Sequence, residues 1–182
     1  MEEKLSVKES NYLELNYRTL CAFIIEFTIC GFCGWIYETV LTSYLWGRFA
    51  ERGFLHVPVL PIYGVFAFLL IPFFRKHNKV HQVFLISVIF STILELISAY
   101  LIEALLHQNL WDYSDWNYNF FGGRISLYSS LIFGLLTIFF VKVVHPGTKK
   151  LTSVMSEKSV SAAGTVCWTV LLADLIITMA GR

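Results

Sequence analysis

The sequence predicts an all-α integral membrane protein of about five transmembrane helices, N-terminus inside and C-terminus outside, with an irregular, partly re-entrant connection between the first two. Three observations carry this: an apolar composition, apolar stretches as long as a bilayer is thick, and basic residues gathered on alternate connections. Of 182 residues, 56% are hydrophobic and only 15% charged, and mean hydropathy is +0.62. A water-soluble domain carries about 25% charged residues, so there are too few charges here to coat a globule. A net charge of +1 offers no basic face to nucleic acid, which is excluded as a partner. The expected partner is the lipid bilayer.

Crossing the ~30 Å hydrocarbon core takes about 20 apolar residues at 1.5 Å rise each. Thr19–Trp46, Gln82–Leu106, Ile125–Val144 and Ala162–Ala180 meet or nearly meet this. A fifth segment, Val59 to Phe74, is short, opens at Pro58 and Pro61, and ends at Arg75-Lys76-His77. The organisation expected is a polar segment over 1–17, a membrane domain over 18–145, a cytoplasmic linker over 146–161 rich in Gly, Lys, Ser and Thr, and a C-terminal transmembrane helix over 162–182. The polar start carries Glu2, Glu3, Glu9 and Glu14, and the apolar run after it is too long for a signal-peptide core, so the first helix is expected to be retained. With five spans, Lys4, Lys8, Arg18, Arg75, Lys76, Lys79, Lys142, Lys149, Lys150 and Lys158 fall inside, and only Arg48, Arg52, Arg124 and Arg182 outside. The aromatic residues Tyr44, Trp46, Trp111, Tyr113, Trp116 and Tyr118 gather at the same outer interface. The location this implies is the plasma membrane, multi-pass.

Two outer connections are unlike ordinary loops. One, Arg48 to Tyr63, mixes apolar residues with Gly53, Pro58 and Pro61; the other, His107 to Arg124, is rich in aromatics and carries Asp112, Asp115, Asn119 and Arg124. Irregular backbone at membrane depth is tolerated only where protein or a water-filled cavity covers it. A charge at the bilayer centre costs at least about 2.5–3.5 kcal/mol, so Glu26, Glu38, Glu95, Glu103 and Asp174 each need a reason. Gly31, Gly34, Trp35, Glu38 and Thr42 share one helix face, and glycines admit a close neighbour, so Glu38 is expected to face the bundle. Glu26, about 120° away around the axis, cannot share that face. Ser91, Thr92, Glu95, Ser98 and Ala99 form a small, polar stripe, which turns Glu95 inward as well.

The expected candidate ligand-binding residues are therefore Glu38, Arg52, His56, Tyr63, Glu95, Asp112, Asn119 and Arg124. They would form a polar cluster open to the outer side, with Arg52 and Arg124 meeting the carboxylates of Glu38 and Glu95. The competing reading is that the arginines neutralise the carboxylates and pin the helices together. For His56 a structural hydrogen bond outweighs a catalytic role. Glu26 and Asp174 are expected in packing or oligomer contacts, and Glu103 solvated near the interface. Cys30-Gly-Phe-Cys33 sits within an apolar helix without a second pair and is assigned to packing. His77 and His81 stand four apart in a basic loop and are expected to be solvated. No metal ligand set and no organic cofactor are indicated. There is no nucleophile elbow, no phosphate-binding glycine loop and no H-E-x-x-H pair. An intrinsic ATPase is thereby excluded, no catalytic residue is assigned, and the balance leans away from an enzyme.

These residues also carry a resemblance. Gly34-Trp35-x-x-Glu38 is followed by Arg52-Gly53-Phe54-Leu55-x-x-Pro58-x-x-Pro61-Ile62-Tyr63-Gly64, then by Leu94-Glu95, Trp111-Asp112-Tyr113-Ser114 and Gly123-Arg124-Ile125. In this order the chain resembles the CmpB-type family of type IV ABC-transporter permeases, small bacterial multi-pass membrane proteins. The motifs cover about Gly34 to Gly134, and none covers the last helix. The resemblance implies a membrane location and a transport-associated role, with a separate ATPase subunit, an ion gradient or a homo-oligomer to complete it. Three functions stay open: a permease-like protein whose polar cavity binds a small anionic or polar solute or lipid headgroup, an intramembrane enzyme acting on a lipid or isoprenoid headgroup, and a membrane scaffold with no ligand.

Overall fold

The computed structural model of the chain describes residues 16–74 and 79–181, with side chains except those of 71–73. The polar start, the Arg75-Lys76 cluster, His77 and Arg182 lie outside the described residues. Within them the chain forms helices α1 (Tyr17–Trp46), α2 (Pro61–Phe74), α3 (Val80–Leu106), α4 (Leu127–Phe139), α5 (His145–Val154) and α6 (Glu157–Ala180). A two-residue hairpin, β1 (Asn119–Phe120) and β2 (Ile125–Ser126), pairs Asn119 with Ser126 and Phe120 with Ile125. Four helical stretches, α1, α3, Leu127–Val154 and α6, are long and apolar enough to cross a membrane.

The bundle is inside-out relative to a soluble protein. On α3 the residues at four-residue spacing that face the neighbours are Ser87, Ser91, Glu95 and Ala99, all buried, with Ser87 at 0% and Glu95 at 3% exposure. Ile89, Ile93, Ile97, Leu101 and Leu105 point outward, 50–75% exposed. An apolar stripe turned outward and a polar one turned inward fit a hydrocarbon solvent, where polar groups must find partners within the protein. Each buried hydroxyl of Ser87, Ser91 and Thr137 returns its proton to a carbonyl of its own helix. The core proper is aromatic: Tyr63 stacks on Phe133 at 5.1 Å between centroids, meets Phe140 edge-on at 6.4 Å, and Phe66 packs on Phe133.

Helix α1 is the axis of the fold. Its N-terminal half packs on α6, where Gly164 lies directly against Cys21. Its middle packs on the connection to α2 and on α2 itself. Gly47, at φ 63°, ends α1 in the left-handed conformation that glycine adopts without strain. From there the chain turns back along α1, and the Leu60 N–H donates to the Gly31 carbonyl at 3.0 Å. Sixteen residues of helix separate Gly31 from Gly47, about 24 Å at 1.5 Å per residue. The non-helical connection thus descends to the middle of α1 before α2 begins. Helix α2, 14 residues long, is for this reason too short to span alone.

One expectation fails here. The segment 146–161, expected to be a plain linker, is mostly helical. The chain passes from α4 through a π-helical turn over Phe140–Val144 into α5. Pro146 has no amide proton and its ring crowds the preceding turn; the wide turn just before it relieves that crowding and lets the helix continue. The break falls at Met155 and Ser156, and Ser156 Oγ caps α6 by accepting from the Ser159 N–H at 3.1 Å.

Candidate functional site

The descending connection and the His107–Arg124 loop meet over the C-terminal ends of α1 and α3. Between them lies a cavity of about 360 Å³, lined by Glu38, Arg52 and Tyr63, by Asp112, Tyr113 and Ser129, and by the aromatic rings of Tyr37, Trp46, Trp111, Trp116 and Phe133. This is within the size range of small-molecule sites.

Glu38 is the centre of the wall. Gly34, one turn before it, lies against the Tyr63 ring, and that close approach brings the Tyr63 hydroxyl to Glu38, where it donates to Oε1 at 2.9 Å. Arg52 approaches from the descending connection. Its Nε donates to Glu38 Oε2 at 3.5 Å and its Nη2 to the Leu110 carbonyl, also at 3.5 Å, both at the outer limit of a hydrogen bond. Arg52 therefore bridges the two connections but is held loosely.

Glu95 lies one layer behind. Its Oε1 accepts from the Tyr113 hydroxyl at 2.8 Å and from Ser129 Oγ at 2.9 Å. Its Oε2 is buried and has no hydrogen-bond partner among the described residues. Tyr113 and Ser129 line the cavity, so Glu95 is linked to it through two hydroxyls. Burial, and next the Glu95 charge, push the Tyr113 phenol well above its ordinary value, which keeps it a donor to that carboxylate. At the rim, hydrogen bonds from the Ser114 hydroxyl and the Ser114 N–H hold Asp112 below the usual carboxylate range, so it stays ionised.

Of the predicted cluster, Glu38, Arg52, Tyr63 and Asp112 line this cavity and Glu95 stands behind it. The remaining three lie elsewhere. Arg124 does not meet Glu38 or Glu95: its Nε and Nη2 donate to Glu103 Oε2 at 3.1 and 2.5 Å, its Nη1 donates to the Phe121 carbonyl, and its guanidinium lies 4.8 Å over the Tyr100 ring. Glu103 is two helical turns beyond Glu95, about 12 Å nearer the loop from which Arg124 emerges. The Glu103 bonds raise the Arg124 guanidinium above its ordinary value, and Glu103, expected to be solvated, keeps 42% of its side chain exposed while ion-paired. His56 is drawn to the opposite side, where its Nδ1 sits 2.8 Å from Asp174 Oδ1 and 3.0 Å from Thr178 Oγ1 on α6. Asp174 Oδ2 also accepts the Val57 N–H at 3.0 Å. Asn119 is a loop brace, donating through Nδ2 to the Ser114 and Trp116 carbonyls.

Sequence reasoning did not find His145, whose Nδ1 lies 2.7 Å from Glu26 Oε1 on α1. The two are 119 residues apart, and no local pattern relates them. Nor did it find that Tyr113 and Ser129 bind Glu95; the motif Trp111-Asp112-Tyr113-Ser114 was the available signal for Tyr113.

No curated protein and no solved structure matches the chain. A family model does, over residues 25–179. It takes in Glu26, the cavity residues and Asp174, reaching into the last helix that the recognisable motifs left uncovered. An apolar bundle with four helices of membrane-crossing length, a polar cavity under two irregular connections, and a match across most of the chain lead to one assignment: the chain is a multi-pass membrane protein and belongs to the family described as Putative ABC-transporter type IV.

Proposed function

We propose that the protein is a permease-like transport component of the plasma membrane, with its N-terminus inside and its C-terminus outside. Its cavity opens outward and takes a small polar solute or a lipid headgroup. The observation that carries this is the cavity itself: about 360 Å³ walled by Glu38 and Arg52, within a chain whose family is described as transport-related. The orientation is supported by the basic residues. Arg18 donates to the Thr152 carbonyl at 2.7 Å, so α5 with Lys149 and Lys150 shares an end with the start of α1. Arg48, Arg52 and Arg124 lie at the other end. On this reading the descending connection and α2 together make the fifth crossing, half irregular and half helical. Transport driven by ATP needs a separate ATPase subunit.

The enzyme reading is the weaker one, because His56, its best acid or base, is committed to Asp174 and Thr178 away from the cavity. The anion reading loses one of its two arginines to Glu103. Right-side-out vesicles carrying ATP inside and incubated in a small-metabolite extract test the proposal by mass spectrometry of their contents. Wild type is expected to enrich or deplete at least one solute, and Glu38→Gln to accumulate normally in the membrane while losing that flux. If Glu38→Gln and Ser129→Ala instead abolish accumulation, or if vesicles with and without the protein are indistinguishable, the transport reading fails.

A further inference from the structure

The cavity combines an acidic wall with an aromatic one, and this deepens the transport reading, on which it rests, to a class of ligand. Two carboxylates, Glu38 and Asp112, line it against one guanidinium, Arg52. A third, Glu95, lies behind Tyr113 and Ser129 with one oxygen buried and without a hydrogen-bond partner among the described residues. Arg124 is engaged by Glu103 and Arg48 lies 5.8 Å over the Trp46 ring; neither side chain lines the cavity. Indole and phenol rings supply much of the remaining surface. Aromatic faces attract cations, and rings set around a carboxylate are the general chemistry by which substituted ammonium groups are held. An anion would meet the reverse: two carboxylates, and one arginine already paired with Glu38.

Arg52 is held loosely. Both of its hydrogen bonds are at 3.5 Å, whereas Tyr63 holds the same Glu38 carboxylate at 2.9 Å. The guanidinium is a resident cation at Glu38 that an incoming one can replace. We propose that the cavity binds a substituted ammonium group of about the size of choline, which takes the place of the Arg52 guanidinium beside Glu38 against the surrounding aromatic rings. The group can arrive as a free solute or as a lipid headgroup; the chemistry is the same.

The test is a titration of the purified full chain in a maltoside detergent, followed by tryptophan fluorescence, since three of the five tryptophans line the cavity. Choline chloride and tetramethylammonium chloride are compared with inorganic phosphate at matched ionic strength. The expected result is a saturable change with both ammonium probes and none with phosphate. Glu38→Gln is expected to weaken the ammonium response about tenfold or more, which is about 1.4 kcal/mol per tenfold, and Asp112→Asn, at the exposed rim, to weaken it less. Arg52→Gln, which removes the resident cation from Glu38, is expected to tighten ammonium binding, the opposite of what an anion site requires. The same titration in nanodiscs separates the sources. A choline response lost in phosphatidylcholine but kept in phosphatidylglycerol supports a headgroup site, and a response kept in both supports a free solute. Saturation by phosphate that Arg52→Gln abolishes overturns the ammonium inference while leaving a transport cavity standing. Absence of saturation by either ammonium probe in monodisperse protein overturns it as well, and the vesicle flux then decides the transport reading separately.

Discussion

Substituting Gly34 by alanine adds a single methyl group where the fold is tightest. The new Cβ falls on the Tyr63 ring and comes within 2.9 Å of the Tyr63 Cβ. Tyr63 cannot swing aside, because it is 1% exposed and clamped between Phe133 and Phe140. Helices α1 and α2 must part instead. Overpacking of a well-filled core costs about 1–3 kcal/mol, and a clamped ring with backbone behind it belongs in the upper half of that range. Parting the helices also stretches the Tyr63–Glu38 hydrogen bond, and such bonds within membranes contribute about 0.6–1.7 kcal/mol. Alanine's better helix propensity returns about 0.8–1.0 kcal/mol. The net expectation is a loss of about 2–4 kcal/mol. Gly147 in α5 is the control, since a Cβ there meets nothing within 4 Å among the described residues; Gly147→Ala should be neutral or stabilise by up to about 1 kcal/mol. Unfolding by sodium dodecyl sulfate from mixed micelles, followed by circular dichroism, measures both. Equal effects from the two substitutions, or a loss below about 1 kcal/mol at Gly34, would refute the close packing of Glu38's neighbourhood on Tyr63.

Two further outcomes are expected. Asp174→Ala leaves the Val57 N–H without its acceptor and should cost about 1–3 kcal/mol in the same assay, whereas Asp174→Asn keeps an acceptor there and should cost less than about 1 kcal/mol, because the His56 side chain it faces is 69% exposed; equal losses would argue against the Val57 contact. Tyr113 keeps its proton in the folded chain at pH values where an unfolded tyrosine, ordinarily at 10.0, has lost it. The folded state then binds more protons, and stability is complete below pH 10 and falls as pH rises above it. Tyr113→Phe should shallow that alkaline loss by about 1.4 kcal/mol per pH unit, and an unchanged slope would show that the phenol is not raised by its burial beside Glu95.

The pattern of helices and the inward turn of particular carboxylates were legible because both are local. Gly31, Gly34 and Glu38 lie on one face by spacing alone, and the structure packs that face on Val59, Leu60 and Tyr63. The Ser91–Glu95–Ala99 stripe is likewise buried. Partners were less legible. Arg124 joins Glu103 rather than Glu95 because the height at which the loop leaves the hairpin decides which carboxylate on α3 it reaches, and loop height is not a periodic property. The expectation of a linker after Pro146 failed for a related reason: proline usually ends a helix, but a π-helical turn absorbs it here. Glu26 and Asp174 were expected in packing or oligomer contacts. Each has a histidine partner within the chain, His145 and His56, more than 100 residues away in sequence, so the packing contact is between distant segments.

By itself the sequence determined the solvent of this protein, the four long spans and the faces on which acidic groups lie, because composition, run length and the 3.6-residue period act on neighbouring residues. Only the tertiary structure decided which cation meets which carboxylate, and that Glu38, Asp112 and aromatic rings from α1, α2, α4 and the second connection close around one cavity. Those outcomes depend on how far each connection descends and at what height the helices pack, quantities set by long-range contacts that no short window of sequence contains.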